Sequence, residues 1–595
     1  MAAITVIAGE NKVQKISVPA KTGLFMALRS AGVYLPAICG GRGTCGKCRL
    51  RVKAGGLPVS AADEACFSRA ELSEGWRLAC TAFPAGDITV QIPESGEGQF
   101  SALDSFEQTE PVPCRSGEMF NLQKSPQSFA VQLADAGLTD DGSLPDGGPP
   151  GRGILFSELR EIAKLAGPTP EGGFYLYRDR GRIIRVGAGA EPLYAAAIDI
   201  GTTTLGFVLA DMRTGNIAGR FSAVNRQREF GGDVISRIQR ANNGDLPLLS
   251  RCVRKQIAEG IAALCAESAV EARDLCKIAI TGNTAMLHLL LGLSCETLGK
   301  TPFTPITLDT VFLNYREIFE GEPSSLSVPF CETTVLPGIS TYVGADIASG
   351  LLFAELYKSE AAAFMDIGTN GEIALAHNGK ILCTATAAGP AFEGGNILWG
   401  TGSVPGAISG VQFRDGVFEV DAIGNKPPVG ICGSGVVDMV YQGLKHGYIQ
   451  PSGRFSEKVQ RNEIVLATAP DGRDIVFCQK DVRELQLGKS AIRSGFDALL
   501  NYAGLGYDDI QTLYIAGGFG FNLNMESAAG IGLIPQALLP KVLLIGNSAL
   551  GGTVKYLLNS EHDETLRLII EKSEAFSLPE DKYFNANFIS NINFE

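Results

Sequence analysis

Two copies of one short pattern constrain the fold of this 595-residue chain more than any other feature. In YAAAIDIGTTTLGFVLADMRTGNIAG an apolar run ends at Asp199, Gly201 and three threonines follow, and a second apolar run continues to an MRTGN turn. AFMDIGTNGEIALAHNGKI repeats the plan, with Asp366 in the position of Asp199. Short apolar runs broken by glycine predict strands. Each copy therefore predicts a β-hairpin, and the shared Asp-Ile-Gly-Thr predicts a duplicated domain of two like halves.

A hairpin of this kind can hold phosphate. Gly201 and Gly368 let backbone N–H groups approach it closely, and Thr202, Thr203, Thr204 and Thr369 add hydroxyls, with Asn370 beside them. Two facing hairpins would let Asp199 and Asp366 organise Mg²⁺ through its waters, because that ion keeps several waters and takes one or two carboxylates. LYIAGGFGFN sets Gly517, Gly518, Phe519 and Gly520 after a further strand, where larger side chains would block a flat adenine ring. ATP with Mg²⁺ is the expected ligand. Leu487–Ser490, LGKS, imitates the end of a phosphate loop, but Arg483 stands where that motif needs glycine. It is expected on a helix surface.

The N-terminal part carries a different chemistry. ICGGRGTCGKC holds Cys39, Cys45 and Cys48, and Cys80 follows in GWRLACTAF. Four thiolates are a ligand set for an iron-sulfur cluster, and glycines between them let a short loop bend around it while pointing N–H groups at the sulfurs. A structural zinc site, or a loop of unligated cysteines, is the alternative reading. Cys66, between the third and fourth cysteines, is expected to be a small packed thiol. AITVIAG, QKISVP, CRLRVKAG and DITVQIP predict strands, with a helix near GLFMALRSAG.

Composition narrows the partners. The 51 Lys and Arg are outnumbered by 64 Asp and Glu, and the net charge of -13 repels nucleic acid and acidic lipid. No run approaches the roughly 18 apolar residues of a membrane helix, and the N-terminus lacks a secretory pattern. A cytoplasmic protein without nucleic-acid or membrane partners is expected. Its 14 cysteines are then read for metal ligation rather than disulfides. The expected organisation is a cysteine module at 1–95, a Pro/Gly-rich linker at 96–152, a small α/β region at 153–190, and the duplicated unit at 191–595. In the small region ILFSELREIAKLAG predicts a helix and FYLYRDRGRIIRV a hairpin.

These residues carry two resemblances. The cysteine loop and its strands resemble β-grasp 2Fe-2S ferredoxins, with the first spacing closer to the adrenodoxin-like branch. The two hairpins, YVGADIASG, AGGFG and IGNSALGG resemble the phosphate, connecting and adenosine motifs of the superfamily of acetate and sugar kinases, chaperone ATPases and actin. That resemblance implies two ribonuclease-H-like halves closing on ATP, so the fold class expected is multidomain α/β. The fusion of the two, with NRQREFGGDVISRI, ITGNTAMLHLLLG, GPAFEGGNI and GICGSGVVD, resembles the reductive activators of corrinoid-dependent enzymes. The resemblance implies ATP-dependent return of Co(II) corrinoid on a partner methyltransferase or corrinoid protein to Co(I), with electrons from an external ferredoxin or flavodoxin.

No DxHxxG pattern surrounds any histidine, so the corrinoid is expected on the partner. Cys383–Asn396 is expected to line the cleft, with Glu393 placing a hydrolytic water or Mg²⁺, and Thr384 and Thr386 as hydroxyls near cobalt or as buried back-bonding groups. Asn225, Gly231, Gly232 and Asp233 read as ligand contacts or as a turn before a helix, and Asn283 as a helix cap. Two other functions are compatible with these motifs. One is activation of another low-potential metalloenzyme such as a dehydratase, and the other is sugar-kinase-like phosphotransfer.

Overall fold

The structure is a computed structural model, described for residues 2–8, 12–18, 23–30, 35, 43, 46, 48–84 and 86–92, the backbone of 175–179 and 182–187, and 192–594 except 320, 323–325, 327, 329–330, 519–522 and 560. The predicted helix at 154–167 and the 96–152 linker lie outside those residues.

Alternating side chains build the first sheet. Along Ile88–Ile92 the first, third and fifth residues are buried, and the intervening Thr89 and Gln91 are partly exposed, as a strand with one packed face requires. Five strands pair in the order 12–18, 2–8, 88–92, 49–54, 76–78, with 2–8 and 88–92 parallel. Helix Leu24–Ser30 closes the core with Leu24, Ala27 and Leu28, spaced to share one helix face. Asp63 is buried but fully engaged. It accepts from the backbone of Ser60 at 2.8 Å and of Leu78 at 2.7 Å, which ties a capping box to the strand before Cys80. A separate hairpin joins Tyr175–Asp179 to Arg182–Gly187, where the sequence predicts it.

From residue 194 onward the chain forms two sheets of one design. The first runs 217–224, 204–211, 194–200, 275–282, 332–335, 311–314. Two antiparallel strands lead to Tyr194–Ile200, which pairs antiparallel with the second of them and in parallel with Leu275–Gly282. The second runs 542–546, 512–516, 361–367, 371–377, 380–386, 573–575. Ala361–Ile367 likewise has an antiparallel hairpin partner on one side and a parallel strand on the other. In each sheet the Asp-Ile-Gly-Thr strand is therefore the point where the pairing changes direction, and ligands gather at such points.

Helices Ala345–Phe353 and Ser548–Leu558 pack on each other and on the first sheet. Their apolar residues merge the two lobes on one side, since Leu550, Val554, Phe364 and Ala516 belong to the same core as Ile198 and Phe207. Phe207 and Phe364 are fully buried, and truncating either would cost about 3–5 kcal/mol. Among the described residues no helix is long and apolar enough to cross a membrane.

Two expectations are corrected by packing. Gly488, Lys489 and Ser490 lie buried in helix Gln479–Ala503 instead of on its surface. The C-terminal segment covers Lys489 and Ser490, with the Lys489 ammonium donating to the Asn593 carbonyl at 2.7 Å, while Gly488 packs against Ala388 and Phe392. Of the stretch 383–396, only Phe392 and Glu393 border the cleft between the lobes. Thr384 and Thr386 are buried and donate to the carbonyls of Phe576 and Gly371 at 2.8 and 3.1 Å, so neither hydroxyl faces a ligand.

Candidate functional site

The two hairpin turns face each other across an open cleft. Asp199, Gly201, Thr202, Thr203 and Thr204 form one wall, and Asp366, Gly368, Thr369 and Asn370 the other. Gly517 and Gly518 stand at the end of Thr512–Ala516, beside Asp366, and border the same space. Phe519 lies outside the described residues.

Glu393 links the walls. The Thr203 hydroxyl donates to its carboxylate at 2.6 Å, across the lobes. Asn547, at the N-terminus of helix Ser548–Leu558, donates through its side chain to Asp199 at 3.3 Å, while its own oxygen caps the helix by accepting from Leu550 at 2.9 Å. Asn283 has the same double role. Its oxygen accepts from Met286 at 3.1 Å and its amide donates to the Thr202 hydroxyl at 3.1 Å.

Sequence reasoning missed Asp346, Glu372, Asn547 and the cleft role of Asn283, all of which border this space. Asp346 and Asn547 sit within YVGADIASG and IGNSALGG, so the motifs pointed to them. Five carboxyls gathered on one cleft, Asp199, Asp346, Asp366, Glu372 and Glu393, disturb one another. Burial first, then the neighbouring Asp346 carboxylate, pushes Asp199 up to about 7, partly offset by Asn547. Asp366 is pushed up to about 8 by burial and by Asp346, Asp199 and Glu393. Burial raises Asp346 to about 6, against the pull of the Ile347 N–H. A cation placed among them would favour the charged forms that burial and mutual repulsion disfavour.

Gly517 shows how tightly the cleft is built. Its φ of +90° lies in the left-handed region, and a Cβ there would stand 2.6 Å from an Asp366 carboxylate oxygen and 2.9 Å from the Ile367 carbonyl. Gly517→Ala should therefore weaken nucleotide binding by at least about tenfold, because strain of roughly 1–3 kcal/mol is relieved only by shifting Asp366 and the Ile367 backbone. Titration with Mg-ATP checks this, and wild-type affinity in the variant would show that the turn is loose.

In the N-terminal sheet, Cys48 is buried and Cys80 half-buried in the short turn Ala79–Thr81. The Ala79 N–H donates to the Cys48 carbonyl at 2.9 Å, which holds the two cysteine segments side by side. Gly43, five residues before Cys48, has φ +75°, and a Cβ would stand 2.9 Å from both Ala62 and Thr81 side chains. Among the described residues, Cys48 and Cys80 are thus the two thiols of the expected set that the fold brings side by side. Cys39 and Cys45 lie outside the described residues. Cys66 is half-buried, with its sulfur 3.5 Å from the Gly43 carbonyl.

Three family profiles match the chain in succession. They are a 2Fe-2S iron-sulfur cluster binding domain over 8–85, the RACo middle region over 194–359, and the C-terminal domain of RACo, the ASKHA domain, over 360–595. The corrinoid activation enzyme RamQ of Eubacterium limosum is 29% identical over 590 residues, 95% of each chain. The Co(II) methylated amine-specific corrinoid protein reductase of Methanosarcina barkeri is 26% identical over 389 residues, covering 60% of this chain and 68% of its own. A solved structure described as a reductive activator for corrinoid, iron-sulfur protein superposes with a TM-score of 0.71 at 29% identity, over 100% of this chain and 98% of that one.

Proposed function

We propose that this chain, which belongs to the family of reductive activators of corrinoid proteins, couples ATP hydrolysis to a one-electron transfer that returns Co(II) corrinoid on a partner protein to Co(I). One observation carries this reading: a segment matching 2Fe-2S cluster binding domains and a cleft walled by two phosphate-type hairpins occur in the same chain. The work divides as 1–95 for electron carriage, 96–152 as tether, 153–190 as a small joining unit and 191–595 as the nucleotide unit. A 2Fe-2S cluster, when bound by Cys39, Cys45, Cys48 and Cys80, supplies a one-electron carrier.

The energetics explain why two modules are needed. Plant-type clusters lie near about -400 mV, and each further 59 mV uphill costs about a factor of ten in a one-electron step. Co(II) to Co(I) is uphill for such a donor. Nucleotide binding can offset part of that only if it favours a conformation in which the partner's cobalt is easier to reduce, since a ligand shifts an equilibrium only by its differential affinity.

Within the cleft, Asp199 and Asp366 are assigned to Mg²⁺. Mg²⁺ usually keeps several waters and takes one or two carboxylates, so it would reach these groups largely through its waters. Gly201, Thr202, Thr203, Thr204, Gly368, Thr369 and Asn370 are assigned to the phosphates, Gly517 and Gly518 to the adenosine, and Phe519 joins them on sequence alone. Glu393, fixed by Thr203, is assigned to orient the attacking water.

The test mixes the protein with a reduced low-potential ferredoxin or flavodoxin, Mg-ATP and a Co(II) corrinoid protein, and follows the Co(I) absorption band. Co(I) should accumulate only when ATP is present. Equal Co(I) with and without ATP, or none in either case, would refute the coupling.

A further inference from the structure

Behind the first hairpin lies a feature that the cleft lining does not explain. Asn225 and Arg237 are both fully buried, and neither borders the cleft. Yet three consecutive carbonyls of the turn end on this pair. The Asn225 side-chain amide donates to Gly201 at 2.8 Å. The Arg237 guanidinium donates to Thr202. The Asn225 backbone N–H donates to Thr203 at 2.9 Å.

The consequence follows from peptide geometry. The only cis bond among the described residues is Thr301–Pro302, so the peptides after Gly201, Thr202 and Thr203 are trans. A planar trans peptide points its N–H opposite to its C=O. Carbonyls pulled toward the buried side therefore turn the N–H groups of Thr202, Thr203 and Thr204 toward the cleft. Consecutive amides aimed at one space form an anion-binding concavity.

Arg237 is itself held at several points. It donates to the Gly231 carbonyl at 2.9 Å and approaches the Met286 sulfur at 3.1 Å. No carboxylate stands in ion-pair contact with it among the described residues; Asp233 and Glu393 act on it only from farther away. An unpaired buried cation is costly. Phosphate in the cleft would compensate it.

Resting on the nucleotide reading above, we propose that Asn225 and Arg237 are positioning residues that hold the first hairpin as a three-amide cradle for the phosphate chain, with Arg237 supplying positive charge from beneath. They act through the backbone and do not touch the nucleotide. Phosphate-bearing ligands should depend on them, and a ligand with the same base and sugar but no phosphate should not.

The experiment compares wild type, Arg237→Met, Arg237→Lys and Asn225→Ala in the full-length protein. Mg-ATP and adenosine are titrated separately, and amide hydrogen exchange is followed in the peptide containing Thr202–Thr204. Arg237→Met should bind Mg-ATP roughly 10- to 100-fold more weakly, the worth of a lost charge-assisted hydrogen bond, with adenosine affinity unchanged. Arg237→Lys should recover part of the loss, and Asn225→Ala should weaken Mg-ATP selectively even if Arg237→Met does not fold. Mg-ATP should slow exchange at Thr202–Thr204 in wild type and fail to do so in Arg237→Met. A folded Arg237→Met with wild-type ATP affinity would overturn the proposal, as would parallel loss of ATP and adenosine. A wild type that binds adenosine but gains nothing from the phosphates would overturn it while leaving an adenosine site in place. A wild type that binds neither ligand would instead sink the nucleotide reading.

Discussion

Replacing Cys48 with alanine is expected to leave a protein that binds Mg-ATP normally and cannot deliver an electron to Co(II). Cys48 is buried, 1% exposed, at the start of strand Arg49–Ala54, and its carbonyl is tied to the turn that carries Cys80. Changing a residue that merely supports a metal ligand costs about 10- to 100-fold in metal affinity. Losing a ligand outright should cost more, so Co(I) formation should fall at least about 100-fold. The half-buried Cys66 lies beside the loop at Gly43 and could step in as a substitute thiolate. Cys48→Ala is therefore best paired with Cys66→Ala in a double variant. Visible absorption and iron content should fall with activity, while Mg-ATP affinity stays within about twofold, as expected for distant independent sites. Undiminished Co(I) formation in the double variant would remove the cysteine module from the electron path.

The comparison of these two sites shows what a linear sequence can and cannot reveal. Asp199, Gly201 and Asp366, Gly368 were legible because each hairpin is local: a strand, a turn and a return strand lie within one short run. Cys48 and Cys80 were legible because thiols have few uses at such spacing. Asn547 was not singled out, since it meets Asp199 only after two lobes have packed through helices Ala345–Phe353 and Ser548–Leu558. Arg237 reads in sequence as an ordinary helix cation, and only the tertiary structure buries it under Thr202. LGKS fails for the converse reason. A helix predicted to face water is covered by the last residues of the chain, which no local pattern announces. Thr384 and Thr386 have the chemistry to approach a metal, but the strand Lys380–Thr386 is buried on both faces, and carbonyls claim their hydroxyls.

Asp366→Asn should separate the chemistry of the cleft from that of the thiols, and its effect on stability should have an unusual sign. With no cation present, the wild-type carboxyl is pushed up to about 8 from an ordinary 3.8. Between those values the folded protein keeps a proton that the unfolded chain has released. Stability must then fall as pH rises through that window, by at most roughly 1.4 kcal/mol per pH unit from this group, and level off above it. Asparagine has no proton to lose. The nucleotide-free variant should therefore already melt somewhat above wild type at pH 5 and well above it at pH 8. Mg-ATP should reverse the order at pH 8, because binding to the folded state stabilises wild type by mass action and the variant lacks the carboxylate that would hold the ion. ATP hydrolysis should drop at least about 100-fold, given the several kcal/mol that a positioned metal contributes, while the visible spectrum of the N-terminal module stays unchanged. Melting curves at pH 5, 6.5 and 8, with and without Mg-ATP, read all of this. Parallel pH slopes for the two proteins would mean that Asp366 is already ionised in the empty cleft, and the crowding of its carboxyls would then explain nothing about cation binding.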